Sequence, residues 1–180
     1  MPVCVRSPAM QGRNLTATLR ALLNKVQAIE IVLIDTLDRY NFEGDFSSCE
    51  LRGRNWLKTA IPQIREYVTI NNIVYWNDVL NDPSYRTRLD LINTMYESDP
   101  VVREMINTNA RYFVDARKER FPALDEKQEM RNSVGYMIEE YAGTAVYANW
   151  FRDLPEAYWG IYVGDSRFFQ KRNPSRFVSL

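Results

Sequence analysis

The chain of 180 residues contains no histidine. Without that residue neither a Ser-His-Asp nor a Cys-His catalytic arrangement can be assembled. The commonest transition-metal ligand is missing too. Cysteine is nearly absent, with only Cys4 and Cys49, too few for a disulfide scaffold or a structural zinc site. No metal is therefore expected. Glycine is sparse, 7 in all, and Gly12 stands alone after the first apolar run. Phosphate loops of the G-x-G-x-x-G or Walker type are accordingly disfavoured. No apolar run approaches the roughly 20 residues that span a bilayer, and the first residues lack the basic start and long apolar core of a signal peptide. A cytoplasmic, reduced setting is the expectation. Neither sign of charge dominates, with Lys+Arg 23 against Asp+Glu 23, so no global field draws the protein to nucleic acid or an acidic membrane.

What is present reads as one α/β domain of ordinary apolar content, 46%, long enough to bury a substantial core. Pro2–Val5 reads as a short buried strand ended by Ser7-Pro8, since Pro8 biases Ser7 away from helical angles. Asn14 is a candidate cap for a helix burying Leu15, Leu19, Leu22, Leu23 and Val26. Ile29–Ile34 is a β-branched run that fits a strand covered on both faces and ends at Asp35-Thr36. Strand, helix, strand at this spacing predicts a parallel crossover. Residues 35–50 are polar and read as a loop. A helix is expected from about Leu51 to Tyr67, burying Leu57, Ile61, Ile64 and Val68, with a kink or break at Pro62. Ile70–Tyr75 is a third strand.

Asp82-Pro83 and Ser98-Asp99-Pro100 each read as a cap followed by proline at the first helical position. The helices after them should bury Tyr85, Leu89, Ile92 and Tyr96, then Val102, Met105 and Tyr112. Phe121-Pro122 breaks the chain. Asp125 with Gln128 makes a capping-box pattern for a long helix reaching Trp150 and ended by Leu154-Pro155. Ala157–Val163 is the last strand candidate, and from about residue 170 the chain reads as a loose tail. The fold class expected is a mostly parallel, Rossmann-like sheet flanked by helices, with a helical excursion before the last strand. Such sheets place ligands beyond the carboxyl ends of their strands, where Ser7 and Asp35 fall.

Ser7 is a candidate nucleophile, although a serine after a strand is more often a turn residue. Tyr136 and Glu140 are four apart and share one helix face. Their neighbours Gly135, Ala142, Gly143, Ala145 and Ala148 are small, which permits close approach. A carboxylate there can hold an α-amino group while a phenol shares the proton, or the two simply form a satisfied buried pair. Arg52, Arg54, Lys58 and Arg65 lie on one helical stretch and form either a track for a phosphate backbone or a solvated face. Tyr147, Trp150, Phe151, Tyr158, Trp159 and Tyr162 line a pocket or build core.

In this order the residues resemble the tRNA-dependent cyclodipeptide synthase family. That family carries a serine after its first strand, often as G-x-S-x-x-N. Val5-Arg6-Ser7-Pro8-Ala9-Met10 keeps the serine and the frequent proline, with valine and methionine in place of the glycine and asparagine. Ile31-Val32-Leu33-Ile34-Asp35-Thr36 is similar to the family's second strand. Trp76-Asn77-Asp78-Val79-Leu80, Asp82-Pro83-Ser84-Tyr85-Arg86 and the helix containing Phe113-Val114 resemble its middle. Tyr136-Met137-Ile138-Glu139-Glu140 matches the family's Y-x-x-x-E. Tyr158-Trp159-Gly160 is the preferred match for the tyrosine of the last strand, with Tyr162 its rival. The helix matching the family's tRNA-binding helix, residues 51–67, is less basic than is usual there.

The resemblance implies a Rossmann-like fold related to class I aminoacyl-tRNA synthetases. It implies an aminoacyltransferase that takes two aminoacyl-tRNAs, passes through an aminoacyl-Ser7 enzyme and releases a diketopiperazine. It assigns catalysis to Ser7, Tyr136, Glu140 and Tyr158, substrate contacts to Val5, Val32, Ile34, Gly143 and Tyr162, and tRNA contacts to Arg52, Arg54, Lys58 and Arg65. No cofactor, metal or membrane is implied. A non-catalytic Rossmann-like module binding tRNA or a protein is the alternative.

Overall fold

A computed structural model describes residues 1–7, 10–22, 26–40, 45–150, 160–162 and 177–179, the last two segments as backbone only. They fall into two compact units.

The first unit comprises Met1–Thr36 and Phe46–Trp76, with the strands of the C-terminal region. Its sheet has the order β1 (Pro2–Val3), β2 (Ala28–Leu33) and β3 (Thr69–Tyr75), all parallel. The register pairs Val3 with Leu33 and Leu33 with Tyr75, with an irregularity between Ile29 and Glu30. The expected parallel crossover is present. Strand periodicity sends Ile29, Ile31 and Leu33 to one face, where they join Val3, Val5, Leu15, Leu19, Leu57, Ala60 and Ile64 in one apolar cluster. Val32 and Ile34 alternate to the other face and are buried there outside that cluster.

Helix α1 runs Gly12–Leu22 and buries Leu15 and Leu19. Asn14 lies inside it rather than capping it. The turn before the helix is made by Gln11, whose carbonyl accepts from the N–H groups of Asn14 and Leu15. Gly12, at φ +51°, supplies the left-handed residue the turn needs. Val26 is half-buried beyond the helix, and Leu23 lies outside the described residues.

The polar stretch 35–50 is not one loop. Thr36–Tyr40 forms a 3-10 turn, and α2 begins at Phe46 and runs to Arg65. Cys49, Gly53, Leu57, Ala60 and Ile64 recur every three or four residues on its buried face. Polar Ser47, Ser48 and Glu50 masked this start in the sequence, because the first two turns bury only Cys49 and Gly53. Helix α2 also continues through Pro62, where a kink or break was expected. Pro62 is exposed and lies one turn from the helix end, so the carbonyl of Lys58 loses its N–H donor next to solvent.

The second unit comprises Leu37–Asp45 and Asn77–Trp150. Helix α3 is short, Trp76–Leu80, and α4 spans Tyr85–Ser98. Asp82 does not start α4 as a cap with proline behind it. Its Oδ1 instead accepts from the N–H (2.8 Å) and hydroxyl (2.6 Å) of Ser84, which fastens a turn ahead of the helix. Helix α4 buries no residue fully: Tyr85, Leu89, Ile92 and Tyr96 are half-buried. Helix α5, Pro100–Arg120, starts where expected, with the Asp99 carboxylate accepting from Val101 and Val102 N–H and Pro100 in the first turn. Its buried residues are Ile106, Ala110 and Val114, four apart. Tyr112, expected inside, is 80% exposed, because it lies about 160° round the helix from Ala110 and Val114.

Helix α6, Glu126–Trp150, begins with Asp125 accepting from Lys127 and Gln128 N–H. The Gln128 side chain turns away to Asn132, so the capping box is one-sided. From Ile138 to Tyr147 every residue except Ala145 is buried, so this stretch is enclosed on all sides. Glu126 pairs with Arg111 and Lys118, and Glu129 with Arg117, tying α6 to α5.

Strand β4 (Gly160–Tyr162) lies within the expected last strand, but its partner was read as tail. β5 (Phe177–Ser179) pairs with it in parallel. A three-residue strand carries too little period-2 pattern to be read from sequence. Phe151, Leu154-Pro155, Tyr158 and Trp159 lie outside the described residues.

One contact locks the sheet to α2. A Cβ built on Gly53 would lie 2.6 Å from Asp35 Oδ2 and 2.7 Å from Asp35 Cβ. Gly53→Ala is therefore expected to destabilise the fold by about 1–3 kcal/mol. Urea unfolding with an unchanged midpoint would contradict this packing.

Candidate active site

The first unit positions Ser7. Strand β1 ends at Val3, and the chain turns so that Ser7 N–H donates to the Cys4 carbonyl at 3.0 Å. The Ser7 carbonyl in turn accepts from Met10 N–H at 2.9 Å. Two side chains hold this turn from outside: Trp56 Nε1 donates to the Met10 carbonyl at 2.8 Å, and Gln11 Nε2 to the Val5 carbonyl at 2.9 Å. Ser7 is half-buried on a loop fixed at both ends. Its place beyond the carboxyl end of a parallel strand is where open α/β sheets bind ligands. Asp35, at the matching end of β2, is buried and its Oδ1 accepts from Thr36 N–H. Val5 sits in the apolar cluster of this unit.

The basic row lies on α2. Arg54, Lys58 and Arg65 are exposed on one face, and Arg54 approaches Glu50 at 3.7 Å. Arg52 is half-buried with Nη1 4.0 Å from Cys49 Sγ. Exposed cations on one face suit a polyanion better than a buried pair does.

The second unit holds Tyr136 and Glu140, one turn apart on α6. Tyr136 is half-buried and Glu140 is 9% exposed. Among the described residues Glu140 makes no hydrogen bond or ion pair. Burial without compensation pushes its carboxyl up to about 7. Tyr141 and Tyr147, both buried on the same helix, have their phenols pushed up, first by burial and also by the field of Glu140. Asn109 of α5 donates to the Tyr141 hydroxyl at 3.2 Å, and Thr144 bonds the Tyr147 hydroxyl at 3.1 Å. Gly143 is buried. Trp150, from the aromatic set, is 37% exposed and donates to Asp82 at 2.7 Å. Tyr158 lies outside the described residues, and Tyr162 is described only as β4 backbone.

The neighbouring acid is treated oppositely. Glu139 accepts hydrogen bonds from Nη1 and Nη2 of the Arg39 guanidinium and from the Tyr40 hydroxyl (3.0 Å). Reading residues 35–50 as loop hid this cluster. The available signal was a pair of consecutive acids inside an apolar helix, which demands a cation from elsewhere in the chain.

No protein-family model matches the sequence, and no curated protein does. Solved structures do. A cyclodipeptide synthase from Fluoribacter dumoffii superposes with a TM-score of 0.83 at 18% identity, covering 99% of this chain and 87% of that one. One from Candidatus Glomeribacter gigasporarum, bound to Phe-tRNAPhe, gives 0.68 at 12% identity over 99% and 84%. AlbC, a cyclodipeptide synthase from Streptomyces noursei, gives 0.53 at 14% identity over 99% and 92%. The chain therefore has the cyclodipeptide synthase fold, the Rossmann-like class expected of it.

The state of Glu140 has a consequence for stability. Below pH 4.5 the carboxyl is protonated in both folded and unfolded chains. Between 4.5 and about 7 the unfolded chain ionises first, so the folded state loses stability as pH rises. Glu140→Gln removes that titration. Relative to the native chain, the variant should gain on the order of 3 kcal/mol between pH 4 and pH 8. Urea midpoints at both pH values measure it, and parallel pH profiles would refute it.

Proposed function

We propose that this chain is a tRNA-dependent cyclodipeptide synthase, acting as one catalytic domain in the cytoplasm on two aminoacyl-tRNAs. The observation that carries the reading is Glu140, a buried carboxylate without a partner among the described residues, one helical turn from Tyr136. Such a group is costly unless a cation arrives. The α-ammonium of an aminoacyl ester is a cation of the right size, and the phenol of Tyr136 supplies a second polar contact. The fold supports the reading, and so does a serine held beyond the end of a parallel strand. Among the described residues no helix is long and apolar enough to cross a membrane.

The chemistry suits a protein without histidine. Ser7 Oγ attacks the ester carbon of the first aminoacyl-tRNA. The tRNA hydroxyl leaves with the serine proton, relayed by the vicinal ribose hydroxyl, and an aminoacyl-Ser7 ester remains. An ester is already activated, so a strong base is dispensable. Glu140 and Tyr136 hold the ammonium through charge-assisted hydrogen bonds. With its proton affinity raised to about 7, Glu140 is also suited to take a proton from that ammonium and free the amine. The amine attacks the ester of the second aminoacyl-tRNA, whose C–O bond breaks to release that tRNA, giving a dipeptidyl-Ser7 ester. The terminal amine then closes on that ester, and the diketopiperazine leaves as Ser7 recovers its proton. Tyr158, with Tyr162 as alternative, is assigned to this last proton transfer. Orientation contributes much of the rate, since well-placed intramolecular attack is worth roughly 7–11 kcal/mol. Val5, Val32 and Ile34 of the first unit, and Gly143 of the second, are assigned to substrate contacts. Arg52, Arg54, Lys58 and Arg65 are assigned to the tRNA backbone.

Expression in a bacterium should release a cyclic dipeptide into the medium, detectable by mass spectrometry. Ser7→Ala should abolish it, and Glu140→Gln should reduce it at least about 100-fold, the scale of a lost acid–base group. Undiminished product from Ser7→Ala would remove Ser7 as nucleophile. A chain that makes no product yet binds tRNA would support the non-catalytic module instead.

A further inference from the structure

Helix α6 carries two consecutive buried acids, and the structure disposes of one of them. The Arg39 guanidinium spans both oxygens of Glu139, with Nη1 at 3.0 Å from Oε1. It also lies over the Tyr40 ring, 4.5 Å from its centroid. The Tyr40 hydroxyl donates to Glu139 Oε2, and its ring lies so close to Gly135 that a Cβ there would come within 2.9 Å of Cε1. The 3-10 turn is thus fastened to α6 at residues 135 and 139, one turn apart. Tyr136 and Glu140 each follow by one residue, about 100° further round the helix. The fastening therefore sets the direction in which they project.

We propose that Arg39, seconded by Tyr40, is a positioning and charge-compensating residue for an ammonium site at Glu140. This rests on the function proposed above. Two adjacent buried carboxylates oppose each other's ionisation. With Glu139 neutralised by Arg39, Glu140 can ionise to receive the amine. Without Arg39, Glu139 becomes a like charge beside it and a competitor for the same ammonium. Among the described residues four phenols register this pair and stay neutral at working pH: Tyr85 of α4 and Tyr40 feel Glu139, while Tyr141 and Tyr147 feel Glu140. Helix α5 contributes the uncharged Asn109, on Tyr141.

The test follows the Glu140 carboxyl by NMR in full-length protein labelled with 13C-carboxyl glutamate, its signal assigned by disappearance in Glu140→Gln. Arg39→Met should move the titration midpoint up and Glu139→Gln should move it down, each by roughly one pH unit. The double variant should return it close to the native value. Identical midpoints in all folded variants would overturn the proposal. Where Arg39→Met does not fold, the near-isosteric Glu139→Gln decides alone: a midpoint that does not fall refutes it. Cyclic dipeptide assays run in parallel should show KM for aminoacyl-tRNA rising in Arg39→Met and recovering in the double variant. Absence of product from the native chain would defeat the proposed function while leaving the titration to decide the compensation.

Discussion

A carboxylate moved out of water needs either a proton or a cation, and Glu140 has neither supplied by the described residues around it. Much of the second unit can be understood from this constraint. The helix that bears Glu140 is enclosed over nearly three turns, so each polar group on it must be satisfied locally or be left for a ligand. Thr144 and Tyr147 satisfy each other, and Asn109 reaches Tyr141. Glu139 is satisfied by Arg39 and Tyr40. Glu140 is the acid of this stretch that remains without a partner among the described residues, and burial holds its proton affinity up.

The first unit solves a different problem, which is to hold a loop still at the end of a two-residue strand. Two parallel pairs are a weak anchor by themselves. The loop is therefore braced by an indole from α2, an amide from Gln11 and two backbone turns. Gly53 lets α2 approach Asp35 at the end of the adjacent strand. A serine on such a loop has little further freedom to lose, which is what the nucleophile proposed for this position requires.

Much of the architecture was legible. The three parallel strands, the crossover, the Asp99-Pro100 start and the long last helix follow from apolar period and from capping chemistry. The start of α2 and the 3-10 turn are stretches where the buried face is short or polar, so periodicity had nothing to register, and β5 is only three residues long. Proline misled for a related reason: its cost depends on whether the orphaned carbonyl meets water, and exposure is a tertiary property. Tyr112 was placed inside by its chemistry, although its helix turns it to solvent.

The sequence by itself determined the class of sheet, the exclusion of histidine chemistry, and the shared helix face of Tyr136 and Glu140. These are local consequences of residue type and of a 3.6-residue period. Only the tertiary structure decided which of two neighbouring glutamates is neutralised. That choice depends on a guanidinium 100 residues away in the chain, and no local pattern encodes which distant cation a buried acid will meet.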